Sequence, residues 1–325
     1  MKIAVVFSPG AGQRQRFYDI GAKLTALFKG HDIITCAGNF GGDYLDGAVV
    51  CDADRSGGYV ETLGAMTLAL LKQQPDIMVS VGGDGIAAYI VDTMLMAGYN
   101  VPMMGVAAGT ANVGPIVCIE PEELGQYDAS TWNYFKVCAV EVTSGEHVAF
   151  AFNDVVIGNT FLGTSDDGGI VNLGAKAMAL EGRKEICSAS ADICTEAFSI
   201  TKNGKPVPYR TSKPGQIIIS PLDRDRLEGR AIYGALCSAA YSDCKGAIAL
   251  TENVMISAEA EEEGMESFCP IEHMLFGPAD TVVLSGFTEQ ADLILDGNPY
   301  IRNHETVELK FHLDIVTVAV PERKV

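Results

Sequence analysis

At 325 residues the chain exceeds the roughly 250–300 at which a single hydrophobic core stops growing, so we expect two domains. Hydrophobic residues make up 48% of the chain and charged residues 20%, a composition typical of folded rather than disordered proteins. The 42 acidic residues outnumber the 23 basic ones and give a formal net charge of −19. This charge argues against nucleic acid and membrane surfaces as partners, because both are usually bound by a basic face.

The nine cysteines form no C-x-x-C motif, and an odd number cannot all pair. Reduced thiols and a cytoplasmic location are therefore expected. The apolar run at residues 3–7 is ended by Pro9, Gly10 and Gly12, which is not the pattern of a signal peptide. No run of the sequence reaches the roughly 18 apolar residues that a transmembrane helix needs.

The first third of the chain alternates strand and helix patterns. Short apolar runs predict strands at residues 3–7, 33–36, 48–51 and 77–81. Apolar residues at helical spacing predict helices from Phe17 to Phe28, from the N-cap candidate Ser56 to Pro75, and over residues 86–97. This β-α-β order predicts a Rossmann-like parallel sheet with helices on both faces. Ligands of such sheets bind outside the carboxyl ends of the strands.

Glycine-rich turns follow these strands. Residues 76–85 run from an apolar strand into Gly82, Gly83, Asp84 and Gly85, and a second glycine turn spans residues 105–114. Glycines let backbone N–H groups approach a phosphate with no Cβ in the way, and Asp84 can meet a hydroxyl or a metal. A lone glycine turn is often only a tight connection, as at residues 8–12. A carboxylate among three glycines has little structural purpose, so we favour a functional role for it.

After about residue 130 the texture becomes β-rich. Short strand patterns separated by turn residues predict an all-β, sandwich-like domain. They lie at residues 136–143, 148–157, 216–220, 231–237, 247–251, 254–258 and 281–286. One short helix is expected at residues 174–183. We place the α/β domain at residues 1–130 and the β-rich domain at residues 131–325. Whether the C-terminal segment returns to the first domain is left open.

The order of these motifs resembles the NAD kinase and diacylglycerol kinase superfamily. The resemblance spans most of the chain and is carried by the two glycine turns, by Phe-Asn-Asp-Val-Val-Ile at residues 152–157 and by Leu-Asp-Gly-Asn at residues 295–298. Residues 156–163 are most similar to the branch of ATP-NAD kinase-like, or acetoin-catabolism protein X-like, proteins. The resemblance implies a nucleotide-binding α/β domain, a β-rich acceptor-binding domain and assembly into a homo-oligomer.

The resemblance also implies an ATP-dependent kinase that uses Mg²⁺ and has NAD as its leading acceptor. Asp84 would be the catalytic residue, lying against the acceptor hydroxyl. Phosphoryl transfer needs mostly positioning and charge stabilisation, so one carboxylate, a glycine turn and a metal suffice. No metal ligands are assigned. The implied nucleotide-binding residues are Gly82, Gly83, Gly85, Gly109, Thr110, Asn112, Asn153, Asp154, Gly10, Gly12 and Asp296.

Alternatives remain open for several of these residues. The family usually has Thr where this chain has Ile86, and its Thr- and Gly-rich segment in the second domain is not recognisable here. Asn153 and Asp154 fit a polar turn equally well, and residues 296–298 fit a hairpin turn between strands at 293–295 and 306–311. A kinase of a lipid or small diol, and a dinucleotide-binding regulatory protein without activity, are therefore the alternative functions.

Overall fold

The computed structural model describes residues 1–109, 112–165, 168–222, 245–259, 270–301 and 305–324. Thr110 and the strand predicted at residues 231–237 lie outside them. The chain divides into two compact units. The first comprises Met1–Val137 and Asp314–Val325, and the second comprises Cys138–Leu313. In the described parts of the chain, no helix has the length and apolar character needed to cross a membrane.

The first unit contains the predicted Rossmann-like sheet. Its strands are β1 (Lys2–Phe7), β2 (Asp32–Cys36), β3 (Val49–Cys51), β4 (Ile77–Gly82), β5 (Met103–Ala107) and β6 (Val117–Ile119). Five of them are parallel and lie in the order β5-β4-β1-β2-β3, and β6 pairs with β5. The helices are α1 (Phe17–Leu27), α2 (Tyr59–Leu71) and α3 (Asp84–Met96). The α/β expectation is confirmed.

Helices cover both faces of this sheet. Val5 and Val79 pack with Leu24 of α1 on one face, and Cys36 on the other face lies against the Met66 carbonyl of α2, 3.9 Å from its Sγ. All six residues of β4 are buried, which explains why its sequence is apolar apart from Ser80 and Gly82. The sheet therefore holds the ends of its strands, and the loops that follow them, on a rigid base.

Ser56 does not cap α2, contrary to the prediction. The helix begins three residues later, with Gly58 at the N-cap position and no side-chain cap. The backbone N–H of Ser56 donates to the Asp54 carboxylate at 2.9 Å, so Ser56 belongs to a local turn. Gly57 and Gly58 separate that turn from the helix, and a favourable capping residue is therefore left outside it.

The second unit is β-rich, as predicted. Its elements are β7 (Tyr127–Ser144), β8 (His147–Ala151), β9 (Val155–Gly158), β10 (Thr160–Thr164), β11 (Ile170–Gly174), α4 (Ala175–Glu181), β12 (Cys194–Lys202), β13 (Lys205–Pro206), β14 (Gln216–Leu222), β15 (Lys245–Thr251), β16 (Ile271–Phe276), β17 (Thr281–Phe287), β18 (Asp292–Leu295), β19 (Asn298–Ile301) and β20 (Thr306–Arg323). The part of β7 before Cys138 and the part of β20 from Asp314 onward belong to the first unit. Six strands form an antiparallel sheet in the order β16-β15-β14-β9-β18-β19, and the others form the antiparallel pairs β12-β13, β12-β17, β17-β20, β7-β8 and β10-β11. A shared core lies between strands of the six-stranded sheet and strands of the other pairs, and it includes Val142, Ile157, Ile219 and Leu284.

Three strand predictions in this unit are wrong. The run at residues 148–157 is two strands, β8 and β9, separated by residues 152–154. Residues 254–258 form no strand, because the amides of Met255 and Ile256 donate to the Gln216 side chain at 2.8 and 2.9 Å. The turn at Asp296 joins β18 to β19 rather than to a strand at 306–311.

Candidate functional site

Backbone hydrogen bonds join the three glycine-containing loops of the first unit at the carboxyl edge of its sheet. The Ser8 amide, just after β1, donates to the Val81 carbonyl at 2.9 Å. The Ala108 amide donates to the Gly82 carbonyl at 2.8 Å, and the Gln13 amide donates to the Ala108 carbonyl at 3.0 Å. Residues 8–13, 82–85, 108–109 and 112–114 are thus placed together as one surface, which we call the glycine edge.

Two glycines of this edge are required by close packing, Gly109 against the Gly83 backbone and Gly82 against side chains. A Cβ on Gly109 would lie 2.7 Å from Gly83 Cα and 2.7 Å from Asn112 Oδ1. A Cβ on Gly82 would lie 2.6 Å from the side chain of Ile86. By contrast, no atom lies within 4 Å of the Cβ position of Gly10. The backbones of Gly83 and Gly109 therefore lie against each other, an approach that a Cβ on Gly109 would prevent.

Asp84 is the first residue of α3 and is partly exposed. Its Oδ2 accepts hydrogen bonds from the backbone amides of Val113 at 2.8 Å and Gly114 at 2.9 Å. Gly114 leaves room for the carboxylate, since a Cβ there would lie 2.7 Å from Asp84 Oδ1. The carboxylate thus has a structural purpose that sequence reasoning did not assign to it: it fixes the 112–114 loop beside the start of α3.

The amide oxygen of Asn112 is a buried acceptor at this edge to which no described residue donates. Burying a polar atom without a partner costs about 1–3 kcal/mol, so a ligand donor here would relieve that cost. Thr110, the predicted neighbour, lies outside the described residues, and the structure does not place it.

The residue after the Gly-Gly-Asp-Gly turn faces inward. Ile86 is 4% exposed. Its side chain lies beside Gly82, next to the position where a Cβ on that glycine would also meet Ser8. A side chain at this position is therefore part of the packing beneath the turn. Sequence reasoning missed Gln13, whose Nε2 donates to the Gly109 carbonyl at 3.3 Å; a polar residue one position after a glycine loop is a weak signal.

The donor set fits a nucleotide phosphate group better than a protein-held metal. Gly83 is the N-cap of α3 and no side chain caps this helix, so its first amides face outward from the helix. Among the described residues, no group of three His, Cys, Asp or Glu side chains is placed to hold a metal ion. Mg²⁺ is commonly bound by one or two carboxylates together with substrate phosphates, and Asp84 suits that arrangement.

In the second unit, one carboxylate holds the turn between β8 and β9. Asp296 Oδ1 accepts from the amides of Asn153 at 2.8 Å, Asp154 at 3.0 Å and Phe152 at 3.2 Å, while Oδ2 accepts from Phe152 at 3.0 Å. Asp296 and Gly297 both have positive φ, 48° and 78°, as a two-residue hairpin turn requires. Asp296 thus lies in a hairpin turn, although its partner strand is β19 rather than residues 306–311, and its side chain also organises the predicted Asn153-Asp154 pair.

The surroundings of Asp296 disfavour its ionised form. Burial, together with the neighbouring Asp154 carboxylate, raises the pKa of Asp296 to about 8, although the three amides favour the anion. Asn153 Nδ2 donates to Asp154 Oδ2 at 3.2 Å. Asn153 Oδ1 is buried and has no hydrogen-bond partner among the described residues. The turn therefore contains one buried amide oxygen for which the described residues supply no donor.

Sequence comparison finds a relative of this chain. No protein-family model matches the chain. An uncharacterised protein of Archaeoglobus fulgidus is 27% identical over 226 residues, which cover 69% of this chain and 67% of that protein.

Solved structures of kinases resemble the whole chain. Yeast NADH kinase in complex with NADH matches with a TM-score of 0.50 and 10% identity, covering 100% of this chain and 84% of that one. A diacylglycerol kinase from Bacillus anthracis str. Sterne matches with a TM-score of 0.52 and 11% identity, covering 98% and 96%. The chain has the fold of NAD kinases and diacylglycerol kinases, and the predicted fold class is confirmed.

Proposed function

We propose that this protein is an ATP-dependent phosphotransferase that phosphorylates a hydroxyl group, with NAD as its leading acceptor. The observation that carries the proposal is the glycine edge, where the Asp84 carboxylate lies at the start of α3 beside the close backbone approach of Gly83 and Gly109. Its fold, which it shares with an NADH kinase and diacylglycerol kinases, supports the same class of reaction.

The chemistry assigned to the glycine edge is phosphate binding and acceptor orientation. Outward-facing amides at the start of α3 and along the glycine turns would bind the ATP phosphates, because a helix N-terminus favours negative charge. Asp84 would orient the acceptor hydroxyl and take up its proton. The acceptor oxygen then bonds to the γ-phosphorus as the bond to the β,γ-bridging oxygen breaks, and ADP leaves. Bound Mg²⁺ would supply neutralisation of the phosphate charge.

For the acceptor we propose Asn153 and Asp154. They are held as a pair by the Asp296 carboxylate, and the buried Asn153 amide oxygen can accept a hydrogen bond from a nucleotide amine or hydroxyl. For Gly12, Gly85 and Thr110, nucleotide binding stays a prediction from the sequence. Oligomeric assembly and cytoplasmic location also stay predictions.

One observation favours a second candidate, a dinucleotide-binding protein without transferase activity. Asp84 bonds to the Val113 and Gly114 amides, so selection for the loop alone would retain this carboxylate. Such a protein would bind nucleotide at the same edge and would release no phosphorylated product.

The deciding experiment incubates the purified protein with ATP and Mg²⁺ in the presence of NAD, NADH, diacylglycerol or small diols, followed by product identification by mass. The proposal predicts NADP from NAD, lost in Asp84→Asn and retained in the control Asp314→Asn, an exposed aspartate in β20. Another phosphorylated acceptor would replace the substrate and keep the mechanism. Nucleotide binding with no product from any acceptor would establish the second candidate instead.

A further inference from the structure

Tyr59 is a half-exposed aromatic residue beside the glycine edge. It is the first residue of α2, which follows β3 and therefore starts at the same carboxyl edge of the parallel sheet. The residue is 43% exposed. Gly57 and Gly58 precede it, so the backbone before it carries no side chains that would cover the ring.

Two contacts fix this ring in place. The phenol oxygen lies 3.3 Å from the Ser8 hydroxyl, and Ser8 is 7% exposed and bonded through its amide to β4. The edge of the ring meets Tyr89 of α3 at 6.4 Å between centroids and 73° between planes. The ring of Tyr59 is thus held at its hydroxyl by the end of β1 and at its side by α3. Its exposed surface is pre-oriented rather than free to rotate.

The same serine connects the ring to the phosphate-binding turn. A Cβ on Gly82 would lie 2.9 Å from Ser8 Cβ, so Ser8 touches the first glycine of the Gly-Gly-Asp-Gly turn. An aromatic ring beside a phosphate-binding turn can stack on a nucleobase, because every base has a π face. A ring fixed in advance loses little conformational entropy when the base binds.

We infer that Tyr59 is the base-stacking residue of the nucleotide donor site, with Ser8 and Tyr89 setting the orientation of its ring. The inference rests on the proposed function, since it assigns the base of a nucleotide whose phosphates lie on the glycine edge. Tyr59 then distinguishes a nucleoside triphosphate from a simple polyphosphate.

Calorimetric titration with ATP and with inorganic tripolyphosphate tests this inference, because the second probe has no base. Tyr59→Leu is expected to weaken ATP binding about tenfold and to leave tripolyphosphate binding unchanged. Tyr59→Trp keeps a stacking surface and is expected to bind ATP within about threefold of the wild type. The control is Tyr18→Leu, which removes a 70%-exposed tyrosine from α1 and is expected to change neither affinity.

The outcomes separate this inference from the proposed function. Wild-type ATP affinity in a folded Tyr59→Leu variant, or an equal loss for both probes, would overturn the stacking role and leave the glycine edge as the phosphate site. If Tyr59→Leu does not fold, Tyr59→Trp decides, since a tenfold loss of ATP affinity with unchanged tripolyphosphate affinity contradicts a stacking platform. Wild-type protein that binds neither probe would refute the proposed function and this inference with it.

Discussion

Replacing Asp296 should destabilise the second unit by an amount that depends on whether an acceptor oxygen remains. In Asp296→Ala the amides of Phe152 and Asn153, residues that are 2% and 5% exposed, lose their acceptor. Each buried amide left unpaired costs about 1–3 kcal/mol. Alanine also loses about 1 kcal/mol to the positive φ of 48°. We therefore expect a loss of at least about 3 kcal/mol, a large share of typical protein stability.

Asp296→Asn should be far milder. Its side-chain carbonyl can accept from all three amides that now bond to Oδ1, and asparagine tolerates positive φ well. This variant gives up only the 3.0 Å hydrogen bond from the Phe152 amide to Oδ2, which is worth about 1 kcal/mol. Urea unfolding followed by circular dichroism gives both free energies.

The matched control for backbone strain is Asp314→Ala. Asp314 has a similar φ of 53° but is exposed. Its replacement by alanine therefore introduces the same backbone strain without leaving buried amides unpaired. We expect a loss of about 1 kcal/mol for this control. If Asp296→Ala is no less stable than Asp314→Ala, the carboxylate does not hold the 152–154 turn and our reasoning is refuted.

Three further predictions concern pH and the glycine edge. Folding raises the pKa of Asp296 from 3.8 to about 8. Protonation of Asp296 therefore stabilises the fold fully below about pH 4, and this stabilisation is lost as the pH rises through 8. Asp296→Asn should flatten this pH dependence of the unfolding free energy, measured between pH 4 and 9. Gly109→Ala should abolish measurable ATP binding, since its Cβ meets the Gly83 backbone at 2.7 Å, while the control Gly125→Ala, at an exposed position outside the glycine edge, should bind normally; equal affinities in calorimetry would contradict the assignment of phosphate binding to the glycine edge. Asp84→Asn should unfold within about 1 kcal/mol of the wild type, because its carbonyl can still accept from the loop amides, and a larger loss would show that the charge itself stabilises the loop.

The α/β sheet and the glycine edge were predictable because their signals are local. β4 is mostly apolar, since helices cover both faces of the sheet, and the glycines at its end mark the turn into α3. Parallel order then requires the strand ends to meet at one edge. The sequence around Asp84 therefore predicted that its carboxylate lies at this edge.

The remaining features depend on contacts between distant residues. The break at residues 152–154 lies inside an apolar run, and the carboxylate that holds it comes from Asp296, 142 positions after Asp154. The structural bond of Asp84 to Val113 joins residues 29 positions apart. Tyr59 shows no sequence signal at all, because its exposure and its contact with Ser8 appear only after the sheet has formed.

The most direct measurement is transfer of a radiolabelled γ-phosphoryl group from ATP to NAD in the presence of Mg²⁺, compared between the wild type and Asp84→Asn at equal folded concentration. Our account predicts labelled NADP from the wild type and at least a hundredfold slower transfer by the variant, the scale of about 10²–10⁴ that a positioned acid or base contributes. Equal transfer rates in the two proteins would contradict the central role given to the Asp84 carboxylate.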